Sequence, residues 1–317
     1  FSKYVKMVKK LKSYNNFKIS NIHKNSILLV GNFDGLHLGH QKLFNLAKKY
    51  KKNFKLKIGV VTFEPIPKMY FNTKLTNFRI SNISQKVKIL EKLGSDFLIT
   101  KKFDKKFSKM KSHSFIKEVL YKKLKAKYIF VSNNFRFGNK RKGNVNELIN
   151  NEKNYKYKII KPKPLKLKNK IISSTLIREL LSKGKIEFVN KLLNRNWSID
   201  GKVEKGRQLG KEIGFPTCNI DIKDYVLAKP GVYAVKIYQK NKNFPLKGIA
   251  NLGCRPTFNQ KKILLEVHIF NFYGNLYNKH LTIELINFIR KEKKFKNINQ
   301  LKKQINLDLK IAKKKLK

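Results

Sequence analysis

The chain of 317 residues reads as an α/β domain built on a parallel sheet, followed by an antiparallel β-barrel that ends in a helix. Three observations predict this order. Over the first part of the chain, short apolar runs alternate with segments of helical period, which is the βα rhythm of a parallel sheet. Beyond Asn196 the texture changes to short alternating runs separated by Gly, Pro and Asn turns, the pattern of an antiparallel barrel. With 41% apolar residues the chain can bury two modest cores, so two domains are expected.

Taken in order, strands are predicted over 27–30, 57–63, 96–100, 128–131 and 156–160, with helices over 41–50, 84–93 and 112–124 between them. Ligands of such a sheet bind at the carboxyl ends of its strands. Barrel strands include 231–238 and 262–270. A last helix over 297–315 carries Ile298, Leu301, Ile305 and Ala312 at helical spacing, a stripe suited to packing on the barrel. The domains are placed at 1–185 and 200–317, with a connector over 186–199, and no internal repeat interrupts them.

The formal net charge is +55, an imbalance that ordinarily points to nucleic acid or a membrane surface. Here 66 Lys stand against 8 Arg, and Asn, Ile and Phe are abundant too. These residues share A/T-rich codons, and the lysines are scattered through every segment. Codon bias therefore accounts for most of the excess without a polyanion partner. The scarce arginines are informative, because Arg136, Arg141, Arg178, Arg207, Arg255 and Arg290 fall in or beside the motifs below. Two cysteines, Cys218 and Cys254, lie outside any CxxC or Cys/His cluster, which predicts a reduced, cytoplasmic setting without a thiolate metal site. No apolar run reaches the ~18 residues of a membrane span, and the charged start resembles no secretory signal.

Directly after the apolar run Ile27 to Val30 comes Gly31-Asn32-Phe33-Asp34-Gly35-Leu36-His37-Leu38-Gly39-His40. It reads as strand, glycine-rich turn and helix start. Gly31, Gly35 and Gly39 allow a ligand close to the backbone, while His37 and His40, three apart, share one face of the first helical turn. Exposed N–H groups and the positive helix end favour a triphosphate there, and imidazoles can donate to charge developing on a phosphorus-bound oxygen. A lone HxGH would also suit a plain turn; the preceding strand and the Gly-Asn-Phe-Asp-Gly run make the functional reading the better one.

Three further segments point to the same nucleotide site. Thr62-Phe63-Glu64-Pro65-Ile66-Pro67 ends a strand and turns under two prolines. Asn134-Phe135-Arg136-Phe137-Gly138 offers an amide and aromatic faces to a flat ring. Ser173-Ser174-Thr175 opens a helix with three hydroxyls, an N-cap pattern in its own right, and Arg178 one turn on could grip a polyphosphate bidentately.

These four segments, in this order, resemble the FMN adenylyltransferase module of prokaryotic bifunctional riboflavin kinase/FAD synthetases, a nucleotidyltransferase with a Rossmann-like fold. The resemblance implies direct attack of the FMN phosphate on the α-phosphorus of ATP, with Mg²⁺ present and pyrophosphate leaving. It makes His37 and His40 the stabilisers of that transition state. Gly31, Phe33, Gly35 and Gly39 then line the nucleotide, Ser173, Ser174, Thr175 and Arg178 hold its phosphates, and Asn134 and Phe135 face the flavin. One departure is visible, since the family commonly carries histidine between the two prolines and this chain has Ile66.

The second half carries its own glycine-rich series, with Gly206-Arg207-Gln208-Leu209-Gly210-Lys211 followed by Gly214-Phe215-Pro216-Thr217-Cys218-Asn219. Thr217 and Asn219, two apart on an extended segment, point to one side, so a hydroxyl and an amide oxygen can share a hard cation. The series resembles the riboflavin kinase signature on a Greek-key barrel, which implies Mg²⁺ at Thr217 and Asn219 and ATP against Gly206, Lys211 and Gly214. Pro230 to Ala234 and Gly248 to Phe258 continue the match. In Leu265-Glu266-Val267-His268 a carboxylate interrupts a mostly apolar strand. A strand-edge carboxylate paired with lysine would look the same. The resemblance makes Glu266 the base that takes the proton of the riboflavin 5′-hydroxyl, and His268 either orients it or is a plain barrel histidine. Arg290 falls in the segment that the family places near the flavin.

The expected protein is thus a two-domain enzyme that uses ATP to turn riboflavin into FMN and FMN into FAD, with no nucleic acid, membrane or obligate protein partner. Two alternatives stay open: riboflavin kinase alone beside a decayed first domain, and a basic nucleic-acid binder on the same scaffold.

Overall fold

The structure is a computed structural model that describes residues 10–205, 209–240, 242, 244–256 and 261–317. Of the residues singled out above, Gly206, Arg207, Gln208, Thr257 and Phe258 lie outside the described residues. The chain divides into two compact units, Phe1–Leu75 with Ile83–Ile172, and Thr76–Asn82 with Ser173–Lys317.

The first unit is a six-stranded parallel sheet of β1 (Lys12–Tyr14), β2 (Ile27–Val30), β3 (Ile58–Glu64), β4 (Phe97–Lys102), β5 (Tyr128–Phe130) and β6 (Lys158–Ile160), in the order β1-β4-β3-β2-β5-β6. Five of the six agree with the predicted runs to within two residues. The edge strand β1, three residues of mixed polarity, has no apolar run to announce it. Alternation along the strands feeds both faces. Ile27 and Leu29 enter one core with Phe44 and Leu90, whereas Leu28 and Val30 enter the other with Phe115 and Ile116. A sheet covered on both sides needs apolar residues at every position, and β2 is buried throughout. Helix α1 (Leu38–Phe54) buries Leu43, Phe44 and Ala47, and α2 (Ile83–Lys92) buries Gln85, Lys86 and Leu90. The helix expected over 112–124 is hydrogen-bonded with π-helical spacing over Phe115–Lys123, which keeps Phe115, Ile116, Val119 and Leu120 on the sheet.

The second unit is a closed antiparallel barrel of β7 (Trp197–Glu204), β8 (Cys218–Asp221), β9 (Gly231–Gln239), β10 (Leu246–Pro256), β11 (Lys261–Ile269) and β12 (His280–Lys291), in the order β7-β8-β11-β10-β9-β12 with β12 returning to β7. Ahead of it come α3 (Ser174–Ser182) and α4 (Ile186–Leu193), the latter occupying the segment read as connector. The terminal helix α5 (Ile298–Lys315) is capped by Asn297, whose Oδ1 accepts from the Gln300 amide at 3.0 Å. It covers Val232, Ala234 and Ile249 on the outer barrel face with Ala312 and Leu316. The short segment Thr76–Asn82 also belongs to this unit: Phe78 and Arg79 amides both donate to the Asp224 carbonyl, and the Trp197 indole donates to the Ile80 carbonyl at 2.8 Å.

Candidate functional site

In the first unit, the sheet hands over to α1 through a turn that ordinary backbone would resist. Phe33, Gly35 and Leu36 take φ of +47°, +78° and +42°, and only Gly35 does so without a Cβ penalty. The turn starts from Gly31, whose amide is bound to the Val61 carbonyl at 3.0 Å. Burial of Phe33 and Leu36 in the core stabilises the strained positions. Asp34 is buried there as well.

His37 is the N-cap of α1 and is 5% exposed. His40 follows one turn later, and the two imidazoles stack with centroids 3.8 Å apart and planes inclined by 22°. Phe33 closes the other side of His40 edge-on at 5.2 Å. Gly39 lies between them in sequence, where a Cβ would press on the His37 ring and the Ile172 carbonyl. Burial of the ring, then the neighbouring charges of His37 and Lys86, hold the His40 pKa well below its ordinary 6.5. His40 is therefore a neutral imidazole near neutral pH, with one N–H to donate. Its Nδ1 is buried and has no hydrogen-bond partner among the described residues. A stacked pair of ring donors at a helix N-terminus, beside a turn of reversed φ, is an anion site with directional donors.

The neighbouring strand ends supply the other expected segments. Ile66, where the family commonly has histidine, is 3% exposed and leads into a single helical turn, Pro67–Phe71. An aliphatic side chain in that place packs and offers no donor. Phe135 stacks on Phe137 with centroids 5.5 Å apart and planes at 18°, while Asn134 is exposed and its Oδ1 accepts from the Ser132 hydroxyl at 3.0 Å. An aromatic ring and an exposed amide are thus adjacent in the chain.

In the second unit, Ser173 does cap α3, accepting from the Leu176 amide at 3.2 Å, with Ser174 and the exposed Thr175 opening the helix. The Arg178 guanidinium lies 3.6 Å over the Phe78 ring, and its Nε donates to the Phe78 carbonyl at 2.9 Å. Phe78 was not singled out by the sequence reading, because its meeting with Arg178 joins positions 100 apart.

Sheet register builds the barrel site. Asn219 of β8 and Asn251 of β10 both stand directly opposite Glu266 of β11, so three polar side chains share one face across three strands. Leu265 and Val267 turn inward and are buried, leaving Glu266 half-buried on the outer face beside the region that α5 covers. Asn219 is 5% exposed, and its Oδ1 is buried with no hydrogen-bond partner among the described residues. An orphaned carbonyl-type oxygen is what a hard cation would satisfy. Thr217, two residues earlier, is exposed, and the chain passes so close to Gly210 that any Cβ there would run into the Phe215 carbonyl. The Phe215 amide returns to the Gly210 carbonyl at 2.7 Å, and the Gly214 amide to the Lys211 carbonyl at 3.1 Å. His268 Nδ1 donates to the Pro216 carbonyl at 2.9 Å and its ring meets Phe215 edge-on. Of the two sequence readings for His268, the structure gives it a third task, anchoring the Gly214–Thr217 turn. Burial pushes the Cys218 thiol up to about 11, so it stays protonated.

Arg290 is engaged by Asp308 of α5: Nε reaches both carboxylate oxygens at 2.9 Å and a terminal nitrogen reaches Oδ2 at 2.8 Å. Asp308 is 1% exposed. It sits in the apolar stripe of Leu301, Ile305 and Ala312, and an acid at such a position was a legible signal of a buried partner. Lys86 and Asn251 were also missed as site residues, the first hidden among 66 lysines and the second placed only by register.

The family model described as FAD synthetase matches residues 19–176, and that described as riboflavin kinase matches 193–316. Proteins named bifunctional riboflavin kinase/FMN adenylyltransferase are similar over nearly the whole chain. That of Buchnera aphidicola from Schizaphis graminum is 42% identical, covering 97% of this chain and 98% of the relative. Those of Haemophilus influenzae and Escherichia coli K12 are 37% and 33% identical, covering 90% and 89% of this chain and 92% and 90% of theirs. A crystal structure from Streptococcus pneumoniae, described as a macrolide-efflux protein, shares the fold with a TM-score of 0.85 at 27% identity, over 96% of this chain and 99% of that one. No helix among the described residues is long and apolar enough to cross a membrane. By both family models and by these relatives, the chain belongs to the bifunctional riboflavin kinase/FMN adenylyltransferase family.

Proposed function

We propose that the barrel unit phosphorylates riboflavin at Glu266 and that the parallel-sheet unit joins FMN to the adenylyl group of ATP at His37 and His40. The observation that carries the reading is the register of Asn219, Glu266 and Asn251, with Asn219 Oδ1 buried and unpartnered. Glu266 stands directly opposite both Asn219 and Asn251, and it accepts the proton of the riboflavin 5′-hydroxyl as the oxygen attacks the γ-phosphorus and ADP departs. Thr217 and Asn219 would hold Mg²⁺, which supplies Lewis-acid neutralisation of phosphate charge when bound. Lys211 and Gly214, with Gly206, take the nucleotide phosphates, and Arg290 fixes the strand end near the flavin while paired to Asp308.

In the other reaction an FMN phosphate oxygen attacks the α-phosphorus and pyrophosphate leaves, with no covalent enzyme intermediate. The chain contributes positioning and charge stabilisation. Turn amides from Gly31 to Gly39, with Phe33 as their floor, receive the triphosphate. His37 and His40 donate to oxygens that gain charge. Phe135 stacks on the isoalloxazine and Asn134 bonds its edge. Both reactions consume ATP, which places the work in the cytoplasm, and neither needs nucleic acid, a membrane or a second protein.

Purified protein given ATP and Mg²⁺ with riboflavin or FMN as sole flavin tests this. Riboflavin is expected to give FMN, FMN to give FAD and pyrophosphate, and chelation of Mg²⁺ to stop both. Retention of riboflavin phosphorylation without divalent cation would remove Thr217 and Asn219 from their role.

A further inference from the structure

Lysine is everywhere in this chain and almost everywhere exposed to water. Of 66 lysines, Lys86 is the one that is buried among the described residues, at 2% exposure. Helix α2 directs it to the carboxyl ends of β2 and β3. There Nζ donates to the Asn32 carbonyl at 2.9 Å and to the Thr62 hydroxyl at 3.5 Å, while that hydroxyl donates to the same carbonyl at 3.2 Å. The carbonyl belongs to the peptide that leads into Phe33, the first of the three left-handed positions in the turn. Fixing this peptide fixes which way the following amides point.

Taking an ammonium out of water is costly, and a methionine of similar length would fill the slot without that cost. The chemistry of the slot, rather than its volume, accounts for a lysine there. We propose that Lys86 is a positioning residue for adenylyl transfer, acting through the Asn32 carbonyl to hold the glycine-rich turn in the shape that receives the phosphates of ATP. This rests on the reading of the first unit as the adenylyltransferase.

The test compares full-length wild type, Lys86→Met and Lys86→Gln in separate assays of FMN adenylylation and riboflavin phosphorylation. For Lys86→Met, kcat/KM for ATP in adenylylation is expected to fall about 10²-fold, through both a raised ATP KM and a lowered kcat. The KM for FMN and the phosphorylation of riboflavin should stay within about twofold of wild type. Lys86→Gln keeps a donor and should recover part of the loss; it also carries the comparison if the methionine variant does not fold. Adenylylation within about threefold of wild type in both variants would overturn the proposal. So would a parallel fall in both activities, which assigns Lys86 to folding. A wild-type chain that phosphorylates riboflavin but never adenylylates FMN would defeat the underlying reading, and the proposal with it.

Discussion

In the parallel-sheet unit one turn crowds the reactive groups together, whereas in the barrel unit three strands space them apart. His37 and His40 touch face to face at 3.8 Å, closed by Phe33, and burial keeps the His40 ring neutral before any substrate arrives. Glu266 instead owes its neighbours Asn219 and Asn251 to hydrogen-bond register, and it remains half-buried on an outer face. The difference teaches how each site fails. Local strain and packing hold the first, so it depends on side chains such as Phe33 and Lys86 beneath the turn. Long-range pairing holds the second, so it depends on whatever keeps β8, β11 and β10 aligned, including the α5 clamp at Arg290 and Asp308.

The largest effect is expected at the carboxylate. Glu266→Gln should lower riboflavin phosphorylation by about 10²–10⁴-fold and leave the conversion of FMN to FAD intact, measured with each flavin as sole substrate. Loss of both activities would mean that the two sites do not work independently.

Next comes the clamp. Asp308→Ala leaves Arg290 without its buried partner and should destabilise the barrel by about 3–5 kcal/mol, read by denaturant unfolding followed through Trp197, the only tryptophan. The accompanying loss should fall on riboflavin phosphorylation.

His40→Ala should reduce FAD formation by about 10²–10³-fold with riboflavin phosphorylation unchanged, the mirror image of the Glu266 variant. The smallest effect is a pH slope. Burial makes the folded chain bind the His40 proton less tightly than the unfolded chain, whose histidine titrates near 6.5. The stabilisation from this difference is complete above about pH 6.5 and is lost as pH falls below it. His40→Phe should flatten that acid limb of thermal stability, and an unchanged limb would place the titration elsewhere.

Much of this was legible because each motif is local. The run from Gly31 to His40 declares strand, turn and helix within ten residues, and Gly214 to Asn219 declares its own turn and strand. Asp308 was legible in principle as an acid in an apolar stripe. Other features depend on distance along the chain. Asn251 meets Glu266 only through barrel register, Phe78 meets Arg178 across 100 positions, and Thr76–Asn82 joins the barrel unit from within the first half of the sequence. Lys86 was hidden by composition, since nothing in sequence separates one buried lysine from 65 others. The edge strand β1 has too few apolar residues to show a period.

The measurement that reaches the central claim most directly is chromatography of riboflavin incubated with ATP, Mg²⁺ and wild type, His40→Ala or Glu266→Ala protein. Two independent sites predict FMN and FAD from wild type, FMN alone from His40→Ala and neither product from Glu266→Ala, which still converts added FMN to FAD. FAD from the His40 variant at the wild-type rate, or FMN from the Glu266 variant, would contradict the assignment of these sites.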